Sequence, residues 1–498
     1  MRRGRVIKMG KSNKDKALLN EAEIIAYLNR VMDSTFARFI MKKLSRPKSI
    51  SKSLGIYAGV EDAKTVKDRV HAKVVATAIE KGAAPLGVEP QALKDFLKDP
   101  YIRKGFSVII RGIAEYGITK PQRLSAPFLV VWNFTSECNL RCKHCYASAT
   151  PHPAPDELTL DEKMEVVDQL DEAGVAAISF SGGEPLMNKH LLPVAEYASS
   201  KGFYLAVATN GTLITPKMAE RMKEAGIGYV EVSIDGPTAE IHDAFRGVKG
   251  AFDRAVTGLK NAKDAGLTVG LATTATHHNI GVMAEMVELA RKLQVDRFIV
   301  FSFVPTGRGR EIVEEDPGPE EREDLMNFLY REWQKGDMQI VTTSPCYARI
   351  SLSNALKNAG AKISPTHFAD LELPAGYLEG AKALTEFIGG CGAGRIYCSI
   401  EENGDIQPCV FMPIKLGNVI KDGFQRVWDN NEVLQELRDR DNSDYAGSSC
   451  PYRYICGGCR ARAYAYYGDV KAPDPGCIMY KDEWDKIISR ERGLRIRI

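Results

Sequence analysis

Thr135-Ser-Glu-Cys-Asn-Leu-Arg-Cys-Lys-His-Cys-Tyr146 sets Cys138, Cys142 and Cys145 at C-x3-C-x2-C spacing, directly behind the apolar run Phe128-Leu-Val-Val-Trp-Asn-Phe134. The run reads as a buried strand, so the cysteines occupy the loop at its C-terminal end. Three thiolates on one tight loop can hold three irons of a 4Fe–4S cube and leave the fourth iron without a protein ligand. A structural zinc loop is the alternative, but zinc sites usually come as paired C-x2-C elements that close to four ligands.

From Ala126 onward short apolar runs alternate with amphipathic stretches, which is the pattern of βα units on a parallel sheet. The strands are expected at Phe128–Phe134, Ala177–Phe180, Tyr204–Ala208, Tyr229–Ile234, Val269–Thr273 and Phe298–Phe303. Thr159-Leu-Asp-Glu162 is a capping box, and Thr215 with Pro216 supplies a cap and a first helical residue. Six strands with right-handed crossovers predict an α/β fold built on a partial (β/α)6 barrel, with its chemistry at the C-terminal strand ends.

Those ends carry a consistent set of polar groups. Ser181-Gly-Gly-Glu-Pro185 follows the second strand: Gly182 and Gly183 let backbone approach a ligand, and Glu184 offers an acceptor for an ammonium group. Thr209-Asn-Gly-Thr212 and Ser233-Ile-Asp-Gly236 end the third and fourth strands, aiming Asn210, Ser233 and Asp235 at the same mouth. Each of these short polar residues alone is a common turn former. Arg246 follows in His242-Asp-Ala-Phe-Arg-Gly247, and Pro305-Thr-Gly-Arg-Gly309 ends the sixth strand. A second group of cysteines closes the chain: Cys391-x6-Cys398-x10-Cys409, then Cys450-x5-Cys456-x2-Cys459-x17-Cys477.

Together these motifs resemble the radical SAM superfamily with its C-terminal SPASM extension, over about residues 126–310 and 389–480. The resemblance implies that Cys138, Cys142 and Cys145 hold a cluster whose open iron chelates S-adenosylmethionine, which an electron then splits to methionine and a 5′-deoxyadenosyl radical. It implies cofactor contacts from Gly182, Gly183, Glu184, Asn210, Ser233, Asp235 and Arg246, with His144 lying against adenine. Two auxiliary 4Fe–4S clusters are implied as well, three cubes in all. Cys391, Cys398, Cys409 and Cys459 are expected on the first, Cys450, Cys456 and Cys477 on the second. Gly447 stands where the family has a further cysteine, and its C-x3-C is shortened to Cys456-Gly-Gly-Cys459. The second cluster therefore lacks an obvious fourth ligand. Either Cys346 reaches it or one iron is open; the second option is the expectation, because no spacing ties Cys346 to the extension. Cys391-Gly-Ala-Gly394 and Gly457-Gly-Cys-Arg-Ala461 resemble the branch of haem-pathway decarboxylases and peptide-modifying enzymes.

The division expected for the 498 residues is a basic helical domain (1–125), the barrel (126–310), a connecting region (311–388) and a cysteine-rich auxiliary-cluster domain (389–498). Residues 1–125 carry 26 Lys/Arg against 12 Asp/Glu, whereas the whole chain is only +3. Such asymmetry suits an anionic partner or an ordinary lysine-rich surface. Phe36, Phe39, Ile40 and Leu44 stand at helical spacing among Arg38, Lys42 and Lys43, a pattern of helix packing or of interfacial membrane contact. No secretory h-region and no run of roughly 20 apolar residues is present, so a cytoplasmic location is expected, with peripheral contact at the inner face of the membrane as a variant. The sequence thus predicts an oxidoreductase-type radical enzyme of an anaerobic cell, fed by ferredoxin or flavodoxin and abstracting hydrogen from an unactivated C–H bond. Porphyrinoid, peptide and lipid substrates stand nearly level, nucleic acid is not expected, and no catalytic side chain is assigned. The competing class is a non-catalytic iron–sulfur carrier, which has no need of Gly-Gly-Glu or Arg246.

Overall fold

The computed structural model describes residues 47–83, 89–358, 363–366, 369–371 and 378–495. The stretch Phe36–Leu44 lies outside the described residues. Among those described, no helix is long and apolar enough to cross a membrane.

The described residues begin with four helices, α1 (Pro47–Ala58), α2 (Val66–Ala83), α3 (Pro90–Phe96) and α4 (Pro100–Tyr116). Ile50, Leu54, Val75, Leu93 and Leu97 form a small core of their own between them. The six expected strands follow, as β1 (Leu129–Thr135), β2 (Ala177–Gly182), β3 (Tyr204–Thr209), β4 (Ile227–Ser233), β5 (Thr268–Ala275) and β6 (Arg297–Ser302). Each is hydrogen-bonded in parallel to the next in sequence order. Local chemistry starts the helices between them. Thr159 and Glu162 complete the reciprocal capping box before Leu160–Ala173, and Thr215 accepts from the Met218 amide before Pro216–Glu224.

The sheet continues past these six. β7 (Gln339–Thr342) adds parallel to β6. A two-stranded ribbon, β8 (Ile363–Thr366) and β9 (Ala369–Leu371), stands apart from it. β10 (Tyr397–Ile400) then returns to pair in parallel with β1, and β11 (Asp405–Gln407) and β12 (Gly417–Asn418) extend that edge antiparallel. The result is an open sheet ordered β12-β11-β10-β1-β2-β3-β4-β5-β6-β7.

Strand alternation divides the side chains between two faces. Val130, Trp132, Phe134, Ile178, Phe180, Val207, Val230, Val232, Leu271 and Val300 join the helices in one continuous core that also takes in Cys391, Cys398, Cys409, Phe424 and Trp428. On the other face Tyr229, Ala272, Ile299 and Val341 form a separate apolar cluster. Asn133 and Ser181, paired across β1 and β2, share that second face nearer the C-terminal strand ends.

Candidate functional site at the strand ends

Cys138, Cys142 and Cys145 sit on the loop beyond β1, and their sulfurs are already in a hydrogen-bonding cradle. The Leu140 amide lies 3.5 Å from Cys138 Sγ, the Ala149 amide 3.4 Å from Cys145 Sγ, and Arg246 Nη1 3.7 Å from Cys142 Sγ. Burial pushes the Cys138 thiol up to about 12. A bare thiol there stays protonated, and bound iron would supply the charge that deprotonates it. Amide and guanidinium donors around three sulfurs fit an iron–sulfur cube. Among the described residues no three His, Cys, Asp or Glu groups converge tightly enough for a single ion, whereas a cube spreads its thiolates over separate irons.

The loop beyond β2 is fastened to the cysteine loop. Gly183 N donates to Thr135 O and Glu184 N to Glu137 O, both at 2.7 Å. A Cβ on Gly183 would meet Glu137 O at 2.2 Å, so only glycine allows this approach. Glu184 is fully buried. Its Oε1 accepts from Thr209 Oγ1 (2.7 Å) and Leu186 N (3.1 Å), its Oε2 from Asn210 N (2.8 Å). A carboxylate offers about four acceptor positions, so roughly one remains for an ammonium donor. Burial raises its pKa against the pull of those three donors. Asn210 is held from two loops: Nδ2 donates to Asn139 Oδ1 on the cysteine loop at 2.7 Å, and Oδ1 accepts from Thr212 N on its own loop at 2.9 Å.

Asp235 and Arg246 form a buried ion pair, Nε to Oδ2 at 2.7 Å. Asp235 Oδ1 accepts from the Thr274 amide at 2.8 Å. Burial alone would raise the Asp235 carboxyl, but Arg246 outweighs it and holds the group below its usual range. His144 stacks flat on Phe245, centroids 4.3 Å apart and planes at 6°, and Phe245 stacks in turn on His278. Burial takes the His144 pKa down to about 3, so its 3.5 Å approach to Asp235 is that of a neutral ring. Ser233 ends β4, half-buried. The segment beyond β6 grips the cysteine loop, with Arg308 Nε donating to Cys142 O (3.0 Å) and its amide to Cys145 O (3.0 Å).

Two residues beside this site were not singled out from the sequence. Tyr146, next after Cys145, sets its hydroxyl between Asn133 Oδ1 (3.0 Å) and Ser181 Oγ (2.8 Å). Glu401, just beyond β10, accepts from Asn133 Nδ2 at 3.0 and 2.9 Å, and burial pushes it up to about 7. The adjacency of Tyr146 to the third cysteine was a usable signal; no local pattern marks Glu401.

In the C-terminal part three residues of the expected first set are grouped. Cys391, Cys409 and Cys459 feel one another's charge, and Tyr397 donates its hydroxyl to Cys409 Sγ at 2.9 Å. Cys398 is buried in the same apolar core as Cys391 and Cys409. It follows Tyr397 on β10, so its side chain takes the face opposite the Tyr397 ring, with no exposed surface. Arg438 is the charged neighbour that acts on it. The short run Ile396-Tyr-Cys-Ser-Ile400 carries the β-branched and aromatic composition of a strand and could have signalled this. Phe411, two residues past Cys409, contacts the Tyr146 ring edge-on with centroids 5.2 Å apart, which brings this loop to the Cys138–Cys145 loop. Cys450, Cys456 and Cys477 line one cavity together with Gly447.

Comparison with known proteins agrees with this geometry. Residues 132–293 match the model of the Radical SAM superfamily, and residues 391–460 match that of an iron–sulfur cluster-binding domain, SPASM. An AdoMet-dependent heme synthase from Methanosarcina barkeri is 36% identical over 356 residues, 71% of this chain and 97% of that protein. Mycofactocin maturase MftC from Mycolicibacterium smegmatis is 31% identical over 362 residues, 71% of this chain and 83% of that protein. Among solved structures, Streptococcus suis SuiB bound to S-adenosylmethionine superposes with a TM-score of 0.60 at 17% identity, covering 86% of this chain and 92% of that one. The chain belongs to the radical SAM superfamily, as a radical SAM enzyme with a SPASM-type iron–sulfur extension.

Proposed function

We propose that this enzyme abstracts hydrogen from a propionate side chain of a porphyrinoid and releases the carboxyl group as carbon dioxide. The observation that carries the reading is the similarity to a heme synthase over nearly that protein's whole length. When bound, the reducing cluster and S-adenosylmethionine supply the 5′-deoxyadenosyl radical. Cys138, Cys142 and Cys145 hold that cluster, and the last acceptor position of Glu184 takes the methionine ammonium. Arg246 faces the methionine carboxylate while Asp235 fixes its direction. Ser233 and Asn210 border the same mouth, with His144 backed by Phe245 on the adenine side. Cys391, Cys409 and Cys459 hold the first auxiliary cluster, and Cys450, Cys456 and Cys477 the second, for three cubes in all. When bound, these clusters would supply an acceptor for the electron left when the carboxyl group departs. Tyr146, Asn133, Ser181 and Glu401 line the approach between the radical site and the first auxiliary site, where they can hold a substrate carboxylate or a proton.

The test is anaerobic incubation of the reconstituted enzyme with S-adenosylmethionine, a low-potential reductant and an iron porphyrin bearing propionates. Formation of 5′-deoxyadenosine together with a porphyrin lighter by one hydrogen and one carboxyl group supports the reading. 5′-Deoxyadenosine without any porphyrin change sinks it. A ribosomal-peptide substrate is the second reading, favoured by the similarity to mycofactocin maturase. It predicts a mass change in a peptide and none in the porphyrin.

A further inference from the structure

We propose that Cys346 is the fourth protein ligand of the second auxiliary cluster, closing the set formed by Cys450, Cys456 and Cys477. This rests on the reading that those three thiols hold a cluster, and it reverses the expectation of an open iron there.

The position from which the family draws its further cysteine is lost in more than identity. A Cβ on Gly447 would meet the Tyr445 ring at 2.6 Å, so a side chain there would require that ring to move. The ligand has to come from another element. Beyond β7 the chain turns through Ser344 and Pro345, and Cys346 opens the helix Cys346–Lys357. That places Cys346 on the same C-terminal rim of the sheet as the radical-site cysteines.

Packing aims this helix at the second cysteine set. Ala348, Leu352 and Ala355 are buried against Ile455 and Tyr452, residues of the segment that joins Cys450 to Cys456. Arg349 lies three positions after Cys346, hence on the same side of the helix. It lines the cavity with Gly447, Cys450, Cys456 and Cys477, its guanidinium 5.9 Å from the Tyr452 ring centre. The Cys346 thiol acts electrostatically on both Cys456 and Cys477, so three of the four sulfurs share one neighbourhood. Ser344 Oγ lies 3.0 Å from Cys346 Sγ. A free buried cysteine of no consequence would need none of this convergence.

The experiment starts from a Cys138→Ala, Cys142→Ala, Cys145→Ala protein, in which only the auxiliary clusters remain, expected at about eight irons per chain. Adding Cys346→Ala should lower the content to about four irons, or leave a cluster that mild oxidation converts to a 3Fe–4S form visible by electron paramagnetic resonance. Adding Cys346→Ser instead should keep about eight irons, since a serine oxygen can still ligate, but with a shifted reduction potential. Circular dichroism melts establish that both variants fold. Eight irons with unaltered spectra and potential in both variants would overturn the assignment of Cys346 alone. About four irons in the starting protein would remove the second cluster itself, and the proposal with it.

Discussion

Asp235 has no exposed surface, and the group that balances its charge is Arg246 at 2.7 Å. Asp235→Asn keeps the shape and removes the charge, leaving an uncompensated guanidinium beside Cys142. Breaking such a pair costs about 3–5 kcal/mol, so the expected outcome is a lower thermal midpoint together with weaker S-adenosylmethionine binding in equilibrium dialysis. Unchanged values for both would show that Arg246 is positioned by something else. Glu401 makes a pH prediction. Its carboxyl is raised to about 7 in the folded chain against an ordinary 4.5. Between those values the folded state keeps a proton that the unfolded chain releases, so stability falls as pH rises from 4.5 towards 7 and stays lowered above. Glu401→Gln should flatten that fall, by at most about 3 kcal/mol, in melts of the apoprotein from pH 5 to 8. The cysteine loop and Glu184 were legible in the sequence because their spacing is local. The Asn133–Glu401 contact joins residues far apart in the chain, and no spacing rule reaches that far.

At the scale of elements, the long helices and strands β1 to β6 were legible because each carries a cap, a period or an apolar run long enough to count. β7 and β10 have four residues each, too few for periodicity to separate a strand from a turn. That shortness hid the face of Cys398. Cys398 is fully buried in the apolar core, so Cys398→Val fills nearly the same volume there. The variant is expected to retain about twelve irons and the parent melting behaviour. Loss of about four irons on colorimetric assay would return Cys398 to the ligand set.

Across the whole molecule, a buried charge network fastens the C-terminal part to the end of β6. Arg462, three residues after Cys459, donates to Ser302 Oγ at 2.6 Å and Phe303 O at 3.2 Å, and pairs with Asp474 at 3.1 Å. Arg322 pairs with Asp316 and reaches the same Ser302 hydroxyl. Asp474 Oδ2 in turn accepts from the Cys459 amide at 2.7 Å. Arg462→Met leaves Asp474 buried without its main partner, an expected loss of about 3–5 kcal/mol. It also frees the Cys459 loop, so the chemical denaturation midpoint and the auxiliary iron content should fall together, with the radical-site cluster retained. A fall in stability with full iron content would mean that the network holds the fold and not the cluster loop. The order of the barrel strands followed from the sequence, but their union with the last hundred residues did not, because a parallel pairing between β1 and β10 leaves no mark in either strand.

That pairing has a consequence for how the protein matures in a cell. β1 carries the radical-site loop, and its second neighbour, β10, is translated only after the rest of the barrel has left the ribosome. Until then one flank of β1 has bare amides and carbonyls, and Tyr146, beside the third cysteine, lacks the Phe411 ring that packs on it. If Cys138, Cys142 and Cys145 hold the cluster proposed above, iron and sulfide are expected to reach them more readily before β10 and the Phe411 loop pack on this end of the sheet. A nascent chain halted before residue 390 should accept a cluster from a scaffold protein faster than the finished apoprotein does.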